Sequence, residues 1–302
     1  VEVLEELQEV QNQIKTFIKE CDDEKSLELL DKLATGKMLR SKLVLKIAGV
    51  TKESIKLCAV IEMIHAASLL HDDVIDEADT RRGKPSVNAL YDNKTSIMFG
   101  DILYSKAFTE LSLMDKQVAY TVSKAVTLLS IGEMMDVDLT MSFNSSYEKY
   151  NDMIYKKTAS LIEASAKAAA ILANKDEQKY ALYGKNLGLA FQMIDDILDI
   201  TQDSDTLGKP AMLDFVEGKV TIPYLLLHER LDDKSKLESL YKKQLSNEET
   251  LWIKEQMETT NALADSIKLA KDLGNEAIDI IKDEEDNQSL VLIMKAMIER
   301  EF

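Results

Sequence analysis

The chain has 302 residues, of which 45% are hydrophobic and 30% charged, with a formal charge of −17 at neutral pH. That is ample for a large core, and the acidic balance argues against nucleic acid and anionic membrane surfaces as partners; a phosphate-bearing ligand must then be held by metal or by local basic groups. Only 10 Gly and 3 Pro interrupt a chain rich in helix formers, which points to an all-α protein.

Helical periodicity runs over roughly 1–20, 24–48, 52–77, 95–114, 117–140, 147–173, 178–202, 218–230, 247–282 and 287–301. No Ser-, Gly- or Pro-rich linker separates these segments, so residues 1–302 read as one domain, a helical bundle around an apolar cavity. In the second segment, Gly36-Lys37-Met38-Leu39-Arg40 places two cations three residues apart, so that a helix start there would aim both at one anion. Cys21 and Cys58 are isolated and show no metal-ligand spacing, as in a reducing compartment. No signal-peptide pattern and no apolar stretch long enough to span a bilayer stand out. The expectation is a cytoplasmic protein without a transmembrane segment.

The third segment ends on Asp72-Asp73-Val74-Ile75-Asp76. Residues four apart share a helical face, so Asp72 and Asp76 point the same way. Asp79-Thr80-Arg81-Arg82-Gly83-Lys84-Pro85 follows. Paired arginines after an acidic helix end often just balance charge, but they also suit diphosphate oxygens, which a guanidinium grips with two parallel hydrogen bonds. His65 and His71 do not share a face and read as hydrogen-bonded core residues, not as a zinc site. Further along, Lys156-Lys157-Thr158, Gly208-Lys209-Pro210 and Glu217-Gly218-Lys219 each put a lysine beside a helix end or a breaker. Asp195-Asp196-Ile197-Leu198-Asp199 repeats the acidic pattern, with Gln192 on the face of Asp195.

With 27 Asp in the chain, chance would supply roughly 0.2 copies of Asp-Asp-x-x-Asp, so one copy is weak and two are not. Charge runs usually mark solvated faces. That reading fails here because both motifs end strongly apolar helical runs. Carboxylates held so close call for a cation, and two such walls facing one cavity would form a magnesium cage for a diphosphate.

In that order, Gly36-Lys37-x-x-Arg40, His65 through Asp76, Arg81-Arg82-Gly83, Gly100-Asp101, Lys157-Thr158, Gln192 through Asp199, and Gly208-Lys209 through Lys219 resemble the trans-prenyltransferases, the all-trans polyprenyl diphosphate synthases. The likeness covers nearly the whole chain. One departure is Ser41, where the family commonly has Pro. The resemblance implies the isoprenoid-synthase bundle, a homodimer, and Mg²⁺ held by Asp72, Asp76, Asp195 and Asp199. It implies an allylic diphosphate on Arg81, Lys157, Thr158, Gln192, Lys209 and Lys219, and isopentenyl diphosphate on Lys37, Arg40, His65 and Arg82. Ionisation of the allylic diphosphate would give a carbocation that the isopentenyl double bond attacks, in a cavity kept dry.

In the family, bulky aromatics four or five residues before the first Asp stop elongation early. Ser68 and Ala67 occupy these positions, so a long product near octaprenyl, of the kind used for quinone side chains, is expected. The rival readings are a short-chain (farnesyl or geranylgeranyl) synthase, a class I terpene cyclase and a non-catalytic subunit of a heteromeric synthase. The cyclase would normally lack the second acidic motif and the second basic cluster. The non-catalytic subunit should have lost aspartates or the Arg81-Arg82 pair. This chain retains them all.

Overall fold

A computed structural model describes residues 4–202, 212–284 and 287–299. Apart from one two-stranded hairpin, its regular elements are helices, the all-α isoprenoid-synthase architecture expected from the scarcity of breakers. Two compact units are distinguished, Val1–Val126 with Ala164–Ala181, and Thr127–Glu163 with Leu182–Phe302. Each takes two separate stretches of chain, so no single cut in the sequence divides them.

The first unit contains α1 (Leu4–Lys19), α2 (Glu24–Lys32), α3 (Leu39–Ala48), α4 (Lys52–Ile75), α5 (Val87–Leu90) and α6 (Asn93–Leu111). Helix α4 is its centre and packs against α1, α3, α5 and α6. Its start is set by a capping box in which Thr51 accepts from the Ser54 amide and Ser54 Oγ accepts from the Thr51 amide. Residues from Ile55 to Ile64 are buried almost without a polar interruption, as in a helix enclosed on all sides. This corrects the expectation that no stretch could span a bilayer. Lys52–Ile75 is long and apolar enough by length and composition, but 61% of its apolar window is buried within the protein, the setting of a core helix.

The expected 24–48 helix is two helices, broken across 33–38 where Met38 takes a left-handed conformation (φ 50°). After α4, strands β1 (Thr80–Arg81) and β2 (Lys84–Pro85) pair antiparallel, Thr80 with Pro85 and Arg81 with Lys84. The two turn residues, Arg82 and Gly83, both have positive φ (53° and 72°). This is the geometry of a two-residue hairpin whose twist matches its strands, and it explains the glycine after the arginines.

The second unit takes the later part of α7 (Lys116–Leu139), then α8 (Tyr147–Ile154), a π-helical turn (Tyr155–Ala159) and the start of α9 (Ser160–Leu172). It resumes in α10 (Glu177–Thr201) and continues through α11 (Leu213–Val216), α12 (Ile222–Arg230), α13 (Ser235–Leu240), α14 (Asn247–Thr259), α15 (Ala262–Ile281) and α16 (Asn287–Ile298). Helix α12 packs on α8, α14 and α15, and α15 also packs on α14 and α16. The expected 247–282 helix breaks at Asn261, whose φ of 57° ends one helix and starts the next.

Candidate active site

In the first unit, Asp72 lies in the last turn of α4 and Asp76 caps it, with the Asp76 amide donating to the Asp72 carbonyl at 2.8 Å. The two are therefore one turn apart, as their spacing requires. Between them in sequence, Asp73 is buried (3% exposed). Arg81 donates to Asp73 through Nε at 2.7 Å and reaches Asp72 through Nη2 at 3.4 Å. Burial raises the Asp73 carboxyl above the usual range, and Arg81 opposes that shift. Burial would lower the Arg81 guanidinium, but the Asp73 hydrogen bond and the charges of Asp73, Asp72 and Asp76 raise it.

The hairpin sends the adjacent Arg82 elsewhere. Its Nη1 donates to the Ala34 carbonyl at 3.1 Å, beside the segment that carries Lys37 and Arg40. Lys37 is exposed, just ahead of α3. Arg40 lies in the first turn of α3, and its Nε is buried without a hydrogen-bond partner among the described residues. Burial pushes its pKa down to about 10; Glu62 opposes the shift and Arg82 adds to it. His65 is held well below the usual imidazole range by burial and by the charges of Arg40, Arg82 and Arg81. Three arginine charges thus act on one buried histidine in a protein of net charge −17. Ser41 fits here through its own hydrogen bonds: its hydroxyl and amide both donate to Glu62 Oε1, at 2.6 and 3.3 Å.

Ala67 is completely buried on α4. Ser68 turns its hydroxyl back onto the His65 carbonyl at 2.8 Å, so its polar group is spent within the helix.

In the second unit, Lys157 and Thr158 lie on the π-helical turn, which interrupts the expected 147–173 helix. Such turns concentrate at functional sites. Gly132 of α7 backs it, and a side chain there would collide with the Lys157 backbone. Lys157 Nζ contacts Asp136 Oδ2 at 2.5 Å and both Glu133 oxygens at 3.1–3.2 Å. Thr158 Oγ1 donates to Gln192 Oε1 at 2.8 Å, Gln192 Nε2 donates to Asp196 Oδ1 at 2.9 Å, and the Tyr150 hydroxyl donates to Asp196 Oδ2 at 2.6 Å. Asp196 is pushed up to about 8 by burial and then by Asp214, with the Tyr150 and Gln192 bonds acting against the shift and Asp195 adding to it.

A cavity of about 110 Å³ is lined by Asp136, Lys157, Thr158, Gln192, Asp214 and Lys219, among others. Lys219 Nζ is 3.2 Å from Glu217. Asp195 is partly exposed, whereas Asp199 is 2% exposed and accepts the Asp214 amide at 3.2 Å. Lys209 lies outside the described residues.

Sequence reasoning singled out Asp195 and Asp199 but gave no separate role to Asp196; it noted Glu133, and Asp136 where the family usually has Gln, without assigning either a role, and it missed Tyr150 and Asp214. Asp214, inside the Gly208–Lys219 stretch, could have been found from its neighbours. Tyr150 carries no sequence signal, since a buried tyrosine on an apolar helix face reads as core.

Among the described residues, no three His, Cys, Asp or Glu side chains stand ready to ligate a metal. The carboxylates of each acidic motif nonetheless fit a hard cation. Magnesium prefers oxygen and completes its shell from waters and substrate phosphate instead of a closed protein cage.

The sequence matches the polyprenyl synthetase family over residues 24–258. The chain belongs to that family. It is a prenyltransferase, and the relatives agree. It is 33% identical to a short chain isoprenyl diphosphate synthase of Methanothermobacter thermautotrophicus, covering 95% of this chain and 94% of that one. Among solved structures, the octaprenyl pyrophosphate synthase of Helicobacter pylori superposes with a TM-score of 0.92 at 45% identity, over 98% and 99% of the two chains. A polyprenyl synthase of Caulobacter crescentus, solved with calcium and isoprenyl diphosphate, superposes with a TM-score of 0.87 at 28% identity, over 98% and 94%. Within a polyprenyl synthetase, the basic group of the first unit and the lysine-bearing cavity of the second have the residue types that diphosphate groups require.

Proposed function

We propose that this prenyltransferase is a magnesium-dependent long-chain synthase that adds isopentenyl diphosphate head-to-tail to an allylic diphosphate, giving an all-trans product near octaprenyl length for quinone side chains. The observation that carries the length is the pair of small side chains one turn before Asp72: Ala67, fully buried, and Ser68, whose hydroxyl is bonded back into its own helix. Neither presents bulk to a lengthening tail. The 45% identity to an octaprenyl synthase supports the same reading. Incubation with isopentenyl diphosphate, an allylic primer and magnesium, followed by product chromatography, should show octaprenyl-length chains. A product that stops at farnesyl or geranylgeranyl would instead favour the short-chain alternative.

Bound magnesium would neutralise charge on the leaving diphosphate. Asp72, Asp76, Asp195 and Asp199 would hold it, with Asp199 the least exposed of the four. Lys157, Lys209 and Lys219 supply cations to the allylic diphosphate, and Thr158 and Gln192 stand oriented by the Asp196 and Tyr150 bonds. Arg81 is assigned to the same diphosphate. The allylic C–O bond breaks with its electron pair on the departing oxygen, the isopentenyl double bond attacks the resulting cation, and a proton leaves to the released diphosphate. The cation requires a reaction space closed to water, which would quench it.

Lys37, Arg40, His65 and Arg82 are assigned to isopentenyl diphosphate. The buried, unsatisfied Arg40 Nε supports this, because a buried donor without an acceptor is costly unless a ligand supplies one. Arg40→Ala should raise the KM for isopentenyl diphosphate by roughly tenfold or more, the loss of a charged hydrogen bond, while changing that for the allylic primer little. Equal effects on both substrates would refute the assignment.

The reading extends to a single catalytic domain over 1–302, a cytoplasmic location and a homodimer. An exposed apolar row at helical spacing on α7, comprising Ile131, Met134 and Val137, supports self-association.

A further inference from the structure

We propose that Glu133 is an internal counter-ion that occupies Lys157 until a diphosphate arrives with its divalent cation, so that the two ligands enter this site together. The inference rests on the reading of Lys157 as a diphosphate ligand. One ammonium faces two carboxylates, Asp136 at 2.5 Å and Glu133 at 3.1–3.2 Å. Asp196 and Asp214 line the same cavity, whose other lysine, Lys219, lies 3.2 Å from Glu217. Among the described residues, the carboxylates Asp136, Glu133 and Asp214 outnumber Lys157 and Lys219 around this cavity. A bare diphosphate must pull Lys157 away from its partners and then sit beside the carboxylates it has displaced. Like charges so close oppose binding strongly in a partly desolvated pocket. A divalent cation held by the acidic motifs would lessen that opposition by setting positive charge against the phosphate oxygens.

Of the two partners, Glu133 is the one placed to yield. Its contacts are longer than that of Asp136, and its side chain has one more rotatable bond. The Glu133–Lys157 pair is also more enclosed than the Glu217–Lys219 pair, its side chains being only 17% and 22% exposed. The Glu217 side chain is 43% exposed, and exposed pairs are worth little.

Titration calorimetry with inorganic pyrophosphate, in EDTA and in excess magnesium, tests the proposal. Glu133→Gln keeps the side-chain shape and removes the charge. It should bind pyrophosphate roughly tenfold tighter than the parent protein in EDTA, the order expected for removing one like charge at close range, and show a correspondingly smaller gain on adding magnesium. Glu217→Gln should change either value by less than about twofold. Weaker binding by Glu133→Gln in both conditions would mean that Glu133 positions Lys157, and would overturn the proposal. So would an unchanged affinity, or an equal gain in Glu217→Gln. Lys157→Ala separates the two levels: if it binds pyrophosphate as well as the parent does, the assignment of Lys157 itself fails.

Discussion

Asp72→Ala and Asp195→Ala should each lower turnover by about a thousandfold or more, since losing a metal ligand removes several kcal/mol of transition-state stabilisation and each 1.4 kcal/mol is a factor of ten. Helix content by circular dichroism should stay unchanged. The Arg81 contact to Asp72 is 3.4 Å long, and Arg81 keeps its 2.7 Å bond to Asp73 when Asp72 is removed. Chelation of divalent metal should abolish turnover in the same way and be reversed by magnesium. The neighbouring residue should behave differently. The Asp73 side chain is 5% exposed and carries the main Arg81 contact. Asp73→Ala should therefore cost stability, about 2 kcal/mol once the partial exposure of Arg81 is discounted, and lower the urea midpoint. A folded Asp72→Ala protein with near-normal turnover would remove the metal-ligand assignment.

Replacing Ala67 with Tyr should convert a maker of long chains into one that stops at farnesyl or geranylgeranyl length, with the first condensation largely retained. Ala67 lies five residues before Asp72 and is 0% exposed, so an added ring has no solvent to turn into. It must enter the space ahead of the first acidic motif or displace its neighbours. Overpacking of a tight core costs about 1–3 kcal/mol, enough to halt elongation where the tail meets the ring. If Ala67 is small only to let a neighbouring helix approach, the variant will lose thermal stability and still make the long product. Product analysis of folded Ala67→Tyr distinguishes these outcomes, and Ser68→Phe, one position nearer the motif, gives a second reading with a different packing environment.

The elements most legible in the sequence are those whose causes are local. Few breakers and strong periodicity announce the helices, and the i, i+4 spacing alone sets Asp72 and Asp76 one turn apart on a shared face. The breaks at 33–38 and at Asn261, the hairpin and the short α13 are not legible there, because each depends on one or two backbone angles and not on a long pattern. The order of the basic motifs is equally readable and leads to the family.

Adjacent residues in the motifs are separated only by tertiary structure. Arg81 and Arg82 are neighbours in sequence, yet a two-residue turn sends one to Asp73 and the other to Ala34. Asp195 and Asp196 are likewise neighbours, but Asp196 is buried and bonded to Tyr150 and Gln192 whereas Asp195 is partly exposed. Glu133 meets Lys157 across 24 residues, made possible by Gly132 against a π-helical turn. By itself, the sequence determined the helical class and the chemical types present, because hydrophobic period and residue identity act locally. The folded chain decided which carboxylate is buried, which lysine is neutralised and where each arginine reaches, because charge and burial depend on neighbours brought together from distant segments.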